Sequence, residues 1–137
     1  MLTTQHCTSL QICGATAGTA NLTFAASGNP VLTVSGAVIV GNSAGSSRIG
    51  VITFTSGATL ICSSLTHGAT GSQASSINMA AGGTLQVNGT ITVASSGSGW
   101  MPGAGTVILT ATNTLPSTVF SQFNNLYYQR RRYNAWR

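Results

Sequence analysis

Acidic residues are absent from this 137-residue sequence, and its charged side chains are five arginines. A globular protein ordinarily carries a charged residue at about one position in four. Without carboxylates the chain has no Asp/Glu acid–base pair, no glycosidase dyad and no carboxylate to orient a triad histidine. It also has no acidic cage for calcium or magnesium. We therefore expect a protein that is not an enzyme and that carries no cofactor.

Cysteine and histidine are also scarce, which limits metal and nucleophile chemistry. The three cysteines, Cys7, Cys13 and Cys62, are too few and too oddly numbered for a disulfide framework. His6, Cys7 and Cys13 form an H-C-x5-C pattern, which lacks the paired C-x2-C or H-x3-H elements of structural zinc sites. Cys62 lies on the apolar phase of a predicted strand. We therefore expect it to be a buried apolar residue rather than a metal ligand or a nucleophile.

Long apolar runs are missing as well. No stretch approaches the roughly 20 continuous apolar residues of a membrane-spanning helix, and the first residues lack the basic region and apolar run of a signal peptide. Low charge does not indicate disorder here, because disordered chains combine low hydropathy with high net charge. The mean hydropathy is +0.28, and the sequence is rich in β-branched Val, Ile and Thr. The sequence therefore predicts a folded, strand-rich domain without a membrane span.

An internal repeat organises what the sequence does contain. Three alternating segments can be superimposed from Leu32, Leu60 and Leu85, which follow one another at nearly equal intervals. Each segment reads as a short strand, a tight corner and a second short strand. A third strand is predicted at Leu22-Thr23-Phe24, Ile52-Thr53-Phe54, Ile77-Asn78-Met79 and Val107-Ile108-Leu109. Glycine- and serine-rich stretches at 42–47, 68–75 and 95–99 recur at one phase of the repeat, which predicts corner loops rather than flexible linkers.

This repeat is typical of a β-solenoid, in which each coil buries its apolar face only against the coils above and below. We predict an all-β, right-handed parallel β-helix of about four to five coils, with three short strands per 25–30-residue coil. The solenoid is predicted over residues 10–126, after an irregular segment at 1–9 and before a basic, aromatic tail at 127–137. Period-2 alternation predicts the inward residues, which are Leu32, Val34, Val38, Val40, Ile52, Phe54, Leu60, Cys62, Leu65, Ile77, Met79, Leu85, Val87, Ile91, Val93, Val107 and Leu109.

Two passages near the C-terminus resemble a known family. Residues 99–110, GWMPGAGTVILT, and residues 123–126, FNNL, look like the "G-x-W-x-P-G-x-G-T-V" and "F-x-N-L" phrases of repeat modules in very large, secreted, adhesin-like surface proteins of gliding, type IX-secreting bacteria. Residues 82–93, GGTLQVNGTITV, are similar to the "G-G-T-L-x-V-x-G-x-L-x-V" strands of the same modules. The resemblance covers about residues 20–126. It implies an extracellular or cell-surface repeat that spaces or displays other modules.

The positive charge is concentrated in the tail, which holds four of the five arginines. Candidate interaction residues there are Arg130, Arg131, Arg132, Tyr127, Tyr128 and Trp136. The tail fits a solvated segment, or one whose aromatic residues dock on the open end of a neighbouring subunit. Arginines flanked by aromatic rings are also suited to single-stranded nucleic acid. That partner is disfavoured, because no other part of the chain forms a basic stripe.

The predicted function is structural. Terminal coils of a solenoid expose strand edges unless they are capped, and neither end of the sequence carries a clear polar cap. We expect a scaffold, an adhesin segment or a filament subunit that self-associates end to end or laterally, since little charge opposes such contact. The alternative is a module that binds ice or carbohydrate, such as cell-surface or matrix polysaccharide, through one outward face. Two outward columns are relevant to ice binding, and neither is uniform in threonine: Thr23, Thr53, Asn78 and Ile108 form one, and Gln11, Ile39, Thr66 and Thr92 form the other.

Overall fold

The computed structural model describes residues 4–13, 18–41, 48–68, 75–94 and 98–129. Within these ranges the chain is all-β, with twelve strands and no helix. The strands are β1 (Thr4–Cys7), β2 (Leu10–Ile12), β3 (Gly18–Thr23), β4 (Val31–Val40), β5 (Arg48–Thr53), β6 (Thr59–His67), β7 (Ser76–Asn78), β8 (Thr84–Val87), β9 (Ile91–Val93), β10 (Gly99–Met101), β11 (Thr106–Leu109) and β12 (Asn125–Tyr128). The predicted corner loops at 42–47, 68–75 and 95–99 lie mostly outside the described residues.

All pairings between these strands are parallel, and they build two sheets. One sheet has the order β1-β4-β6-β8-β11-β12, with β2 also paired to β4 and β9 also paired to β6; the other has the order β10-β7-β5-β3. The pairings arrange the strands in three stacks. The first stack holds β1, residues 31–34, residues 59–62, β8, β11 and β12. The second holds β2, residues 37–40, residues 64–67 and β9, and the third holds β3, β5, β7 and β10.

The registers within the stacks follow the sequence repeat. Leu32, Leu60 and Leu85 align in the first stack, as superposition of the repeats predicts. Leu10 and Val38 align in the second stack, one repeat apart. Successive side chains of a strand point to opposite faces, so this register places the alternate apolar positions of every level on one side.

The corner between the first and second stacks brings backbone against backbone. A Cβ atom on Gly36 would lie 2.5 Å from the carbonyl oxygen of Thr8, and one on Gly89 would lie 2.5 Å from that of Ser63. Only glycine permits so close an approach, which explains the Ser-Gly and Asn-Gly corners. The β4–β6 register shifts at this corner because β4 has ten residues where β6 has nine.

The predicted core is confirmed in most positions. Of the predicted inward residues all are buried except Leu32, Ile91 and Val93, which are partly buried. Ile91 and Val93 lie on β9, the last strand of the second stack, so no described strand covers them on one side. At the opposite end Phe24 stacks on Phe54 with ring centroids 5.1 Å apart. The apolar interior is therefore continuous through the middle levels and thins at the ends.

The predicted assignment of Val107–Leu109 to the third strand of a repeat is wrong. Strand β11 pairs with β8 in the first stack, and the third stack instead ends at β10, where Trp100 pairs with Ile77. The connection from β9 to β10 is shorter than the corresponding connections before β5 and β7. The interval from Ile77 to Val107, although equal to that from Leu22 to Ile52, therefore overshoots the third stack and reaches the next strand of the first.

Both predicted domain boundaries also need correction. Residues 4–7 are not irregular, because they form β1 and pair with β4. Tyr127 and Tyr128 do not belong to a separate tail, because they end β12 and pair with Ile108 and Leu109 of β11. The alternating pattern of three or four residues was too short to reveal either strand from the sequence.

Candidate interaction surfaces at the two ends of the sheets

The exposed apolar side chains of the described residues are concentrated at one end of the molecule. Strands β9, β10 and β12 terminate the three stacks there, and we call this the C-terminal end. The large hydrophobic residues that are exposed are Met101 (45%) on β10 and Leu126 (45%), Tyr127 (57%) and Tyr128 (52%) on β12. A cluster of this kind on otherwise polar surface is typical of an interaction site.

Strand β12 exposes residues at positions that are buried in residues 59–62, β8 and β11 of the first stack. Leu126 is in register with Val107, and Tyr128 is in register with Leu109; both partners are buried. Leu126 and Tyr128 thus continue the inward columns, but all four residues of β12 are exposed. The Tyr128 hydroxyl lies 3.2 Å from Thr112 Oγ1. The first stack therefore ends in a strand whose apolar side chains face solvent.

The second stack, in contrast, is closed by one asparagine. Asn113 Oδ1 accepts a hydrogen bond from the backbone N–H of Ile91 at 2.7 Å. Its Nδ2 donates to the carbonyl oxygens of Gly89 at 3.0 Å and Ala111 at 2.9 Å. The side-chain amide therefore supplies an acceptor to the first N–H of β9 and a donor to the carbonyl oxygen of Gly89, which precedes β9. Asn113 is a polar cap for this stack, which the sequence analysis did not identify.

The third stack is closed by an aromatic cluster, which consists of Trp100, Phe120 and Phe123. The ring of Trp100 lies 5.0 Å from that of Phe120 and 5.6 Å from that of Phe123, between centroids. Trp100 Nε1 donates to the carbonyl oxygen of Gln122 at 2.8 Å. Phe120 is buried and Phe123 partly buried. Residues 115–123, which we call the cap segment, thereby pack against the Trp100 side chain of β10.

The opposite, N-terminal end carries an apolar groove. It has a volume of about 450 Å³ and is lined by Gln5, Leu22, Thr23, Phe24, Ala25, Pro30, Val31 and Leu32. Gln5 pairs with Leu32 and so continues the leucine column of the first stack, yet it is exposed. A polar residue in that position leaves Leu32 and Leu22 only partly buried. The groove is therefore a gap between the first and third stacks at the level where both begin.

The remaining predicted interaction residues, Arg130, Arg131, Arg132 and Trp136, lie outside the described residues, so their positions relative to Tyr127 and Tyr128 are not described. Arg48, on β5, is the one arginine in the described ranges.

Two buried residues with reactive side chains lie on β6. The thiol of Cys62 is 3.7 Å from the carbonyl oxygen of Gln86, and burial raises its pKa from 9.0 to about 12. Burial also lowers the pKa of His67 from 6.5 to about 4, against a smaller opposite effect of its hydrogen bond to Gly99. Cys62 faces the core in the first stack and His67 in the second, so both are core residues. Among the described residues no group of three or more His, Cys, Asp or Glu could hold a metal ion.

The outward columns differ in part from the predicted ones. Thr23, Thr53 and Asn78 are aligned as expected, but Met101 follows them instead of Ile108. The column of Gln11, Ile39, Thr66 and Thr92 is confirmed. A further column, Thr59, Thr84 and Thr106, lies in the first stack and was missed because β11 was assigned to the wrong stack.

The residues that close the C-terminal end had one signal in the sequence. Trp100 and Phe123 lie in the two passages on which the family resemblance depends, whereas nothing around Asn113 distinguishes it from other loop asparagines. No protein-family model, curated protein or solved structure matches this chain. The described residues contain no helix long and apolar enough to span a membrane.

Proposed function

We propose that this chain is a right-handed parallel β-helix of four to five coils, with three strands in each coil of about 25–30 residues. We propose further that it serves as a non-catalytic structural protein outside the cell or at its surface. In this proposal it is a scaffold or adhesin segment, or the subunit of a filament, that associates end to end. The resemblance to secreted adhesin-like repeat modules supports the location. The parallel pairing in three stacks supports the architecture.

The observation that carries the proposal is the difference between the two ends. Apolar side chains project at the first stack of the C-terminal end, on β12, while an apolar groove opens beside the first stack of the N-terminal end. A contact between unlike ends is heterologous, and it generates an open chain of subunits unless the rotation closes a ring. Each contact would bury Leu126 and Tyr128, which continue the inward columns of the first stack, against the groove that contains Leu22 and Leu32.

Charge does not oppose this contact. No acidic residue exists in the chain, and none of the residues that line the groove or form β12 is charged. The arginines after β12 repel one another between subunits, but over a distance that salt screens. Six levels of the first stack at about 4.8 Å each give an axial repeat of about 29 Å, whereas the screening length at physiological salt is about 8 Å.

Sedimentation velocity and negative-stain electron microscopy over a range of concentrations test the proposal. We expect the average mass to rise with concentration and filaments to form with an axial repeat of about 29 Å, as the strand spacing requires. Monodisperse monomers at every concentration would overturn it.

Variants of the two ends make the test specific. Leu126→Lys with Tyr128→Lys alters the C-terminal end, and Gln5→Lys with Ala25→Lys alters the groove. Each double variant should remain monomeric, and an equimolar mixture of the two should form dimers, because each keeps one intact end. Ser56→Lys with Ala81→Lys adds the same charge at exposed turns of the middle levels and should assemble like the wild type. Dimers of either end variant alone would contradict a heterologous contact.

Ice binding is a second candidate because Thr59, Thr84 and Thr106 align on one outward face. The column beside them is Ile61, Gln86 and Ile108, which lacks the second row of threonines. Thermal hysteresis of the purified protein measures this activity directly. A Thr84→Lys variant should abolish any hysteresis that arises from this face.

A further inference from the structure

A titratable group that the proposed function does not use is buried close to the cap segment. The side chain of His67 is fully buried, and its Nε2 lies 2.9 Å from the carbonyl oxygen of Gly99. A carbonyl oxygen only accepts hydrogen bonds, so Nε2 carries the proton and Nδ1 is an acceptor. Two buried polar side-chain atoms of the described residues have no hydrogen-bond partner: Nδ1 of His67 and Oγ of Ser98. The neutral ring is thus held at one nitrogen only.

The ring of His67 has two neighbours in hydrogen-bonded strands and one neighbour, Phe120, in a segment outside the sheets. In the second stack His67 pairs with Val40 and Val93, whose strands belong to the parallel ladder. Phe120 of the cap segment lies against the ring, with centroids 6.4 Å apart. No strand of the described residues includes any part of the cap segment. Of these neighbours, the cap segment is therefore the one that can move without breaking a sheet.

Few hydrogen bonds hold the cap segment to the sheets. The backbone N–H groups of Val119 and Phe120 donate to the carbonyl oxygen of Pro116, inside the segment itself. The bond from Trp100 Nε1 to the Gln122 carbonyl links the segment to β10. Segments with few backbone bonds to their surroundings open at lower free energy than ladder strands.

In the part of the chain that the structure describes, the elements that pack against the ring carry no charged group that could stabilise a protonated His67. The strands that pack against it, β4, β9 and β10, contain no titratable or charged residue. Neither do residues 94–98 or the cap segment. On its own strand the other titratable residue is Cys62, and burial keeps that thiol protonated. A second proton on the ring would place an unpaired cation and an unpaired N–H donor in the core, which is strongly unfavourable.

We propose that His67 is an acid-sensitive latch for the C-terminal end: its protonation releases the cap segment from β10 and brings the ring into contact with water. Release uncovers Trp100 and Phe120 and so enlarges the apolar surface of this end. The latch is a property of the single chain and does not depend on whether the ends associate.

The direction of the pH dependence follows from the lowered pKa of His67. In the open state the ring is solvated and titrates near 6.5, while in the closed state burial lowers its pKa to about 4. The closed state is therefore fully stable above pH 6.5 and loses stability as the pH falls from 6.5 towards 4. From pH well above 6.5 to pH well below 4 the opening equilibrium should rise by about 300-fold in all, which is the ratio of the two acid dissociation constants, and between pH 6.5 and pH 4 by about 80-fold.

Hydrogen–deuterium exchange measured by mass spectrometry at low protein concentration tests the latch. Protection factors, corrected for the intrinsic pH dependence of exchange, are compared at pH 6.5 and pH 4 for peptides covering the cap segment and peptides covering β8. We expect protection to fall by up to about 80-fold in the cap segment and to remain nearly constant in β8. Equal loss of protection in both would indicate global unfolding and overturn the proposal, as would unchanged protection in the cap segment.

Variants assign the effect to this histidine. His67→Gln keeps a side chain that can donate to Gly99, and His67→Phe keeps the ring shape; neither titrates in this range. Both should lose the pH dependence of the cap segment, and either one that folds is sufficient. His6→Gln removes the exposed histidine of β1 and should behave as the wild type. A pH-dependent cap segment in a folded His67 variant would show that another group is responsible.

Discussion

Replacement of Asn113 tests whether a single side chain closes the second stack. Asn113→Ala removes the acceptor of the Ile91 N–H and the donor to Gly89 and Ala111. At a net value of about 1 kcal/mol per hydrogen bond, and with water replacing part of the loss at this partly buried site, the variant should lose about 2–3 kcal/mol. That is a large share of the roughly 5–15 kcal/mol that stabilises a typical domain.

Urea denaturation monitored by circular dichroism measures this loss. With a slope of about 1–3 kcal/mol per molar urea, the midpoint should fall by about 1 M. Asn124→Ala is the matched control, because Asn124 is exposed and its Nδ2 makes one long bond of 3.4 Å to the Gly105 carbonyl oxygen. The control should change the free energy of unfolding by less than about 0.5 kcal/mol. Equal midpoints for the two variants would refute the role of Asn113.

Asn113→Asp separates the acceptor from the donor. The aspartate keeps an oxygen for the Ile91 N–H but places its second oxygen against the carbonyl oxygens of Gly89 and Ala111. We expect it to destabilise the fold at least as much as Asn113→Ala, because an unpaired carboxylate oxygen near two acceptors costs more than an absent donor. Wild-type stability of the aspartate variant would show that the donor half of the cap is unimportant.

Two further outcomes are expected from the core. The Cys62 thiol should react with a thiol reagent at pH 8 only after unfolding, since burial raises its pKa to about 12 and hides it from solvent; stoichiometric labelling of Cys62 in the folded protein, located by peptide mapping, would contradict the burial. Phe54→Ala should lower the free energy of unfolding by about 3–5 kcal/mol. Phe24→Ala should lower it by less, because Phe24 lies beside the open groove, where neighbouring side chains can move into the space that the ring leaves. Equal losses in chemical denaturation would show that the N-terminal end is as tightly packed as the middle.

The closure of the C-terminal end is unequal between the stacks, and this affects how association would proceed. Asn113 bonds the first N–H of β9, and the cap segment packs against the Trp100 side chain of β10, so backbone pairing with another subunit is hindered at the second and third stacks. Apolar contact at the first stack, through Leu126 and Tyr128, remains available. We therefore expect subunits to join through part of the cross-section rather than through a complete ladder. No pattern in the sequence distinguishes the three stacks at this end, because the side chains that differ lie in loops between the strands.

Sequence alone determined the features that depend on periodicity. Alternation at every second residue identified fourteen of the seventeen predicted inward residues as buried ones, and superposition of the leucines identified the parallel register of the first and second stacks. Both predictions succeed because side-chain direction in a strand is a local property with a fixed period. The absence of carboxylates is likewise visible in the sequence.

Tertiary structure alone decided how the stacks end. The spacing from Ile77 to Val107 matched an earlier repeat, yet a shorter connection places Trp100 beside Ile77 and moves β11 to the first stack. The roles of Asn113, Phe120 and His67 depend on contacts with residues far away along the chain. No local sequence pattern predicts such contacts. Local alternation fixes which way a side chain points, but loop lengths and long-range contacts fix what it meets, and only the folded chain contains those.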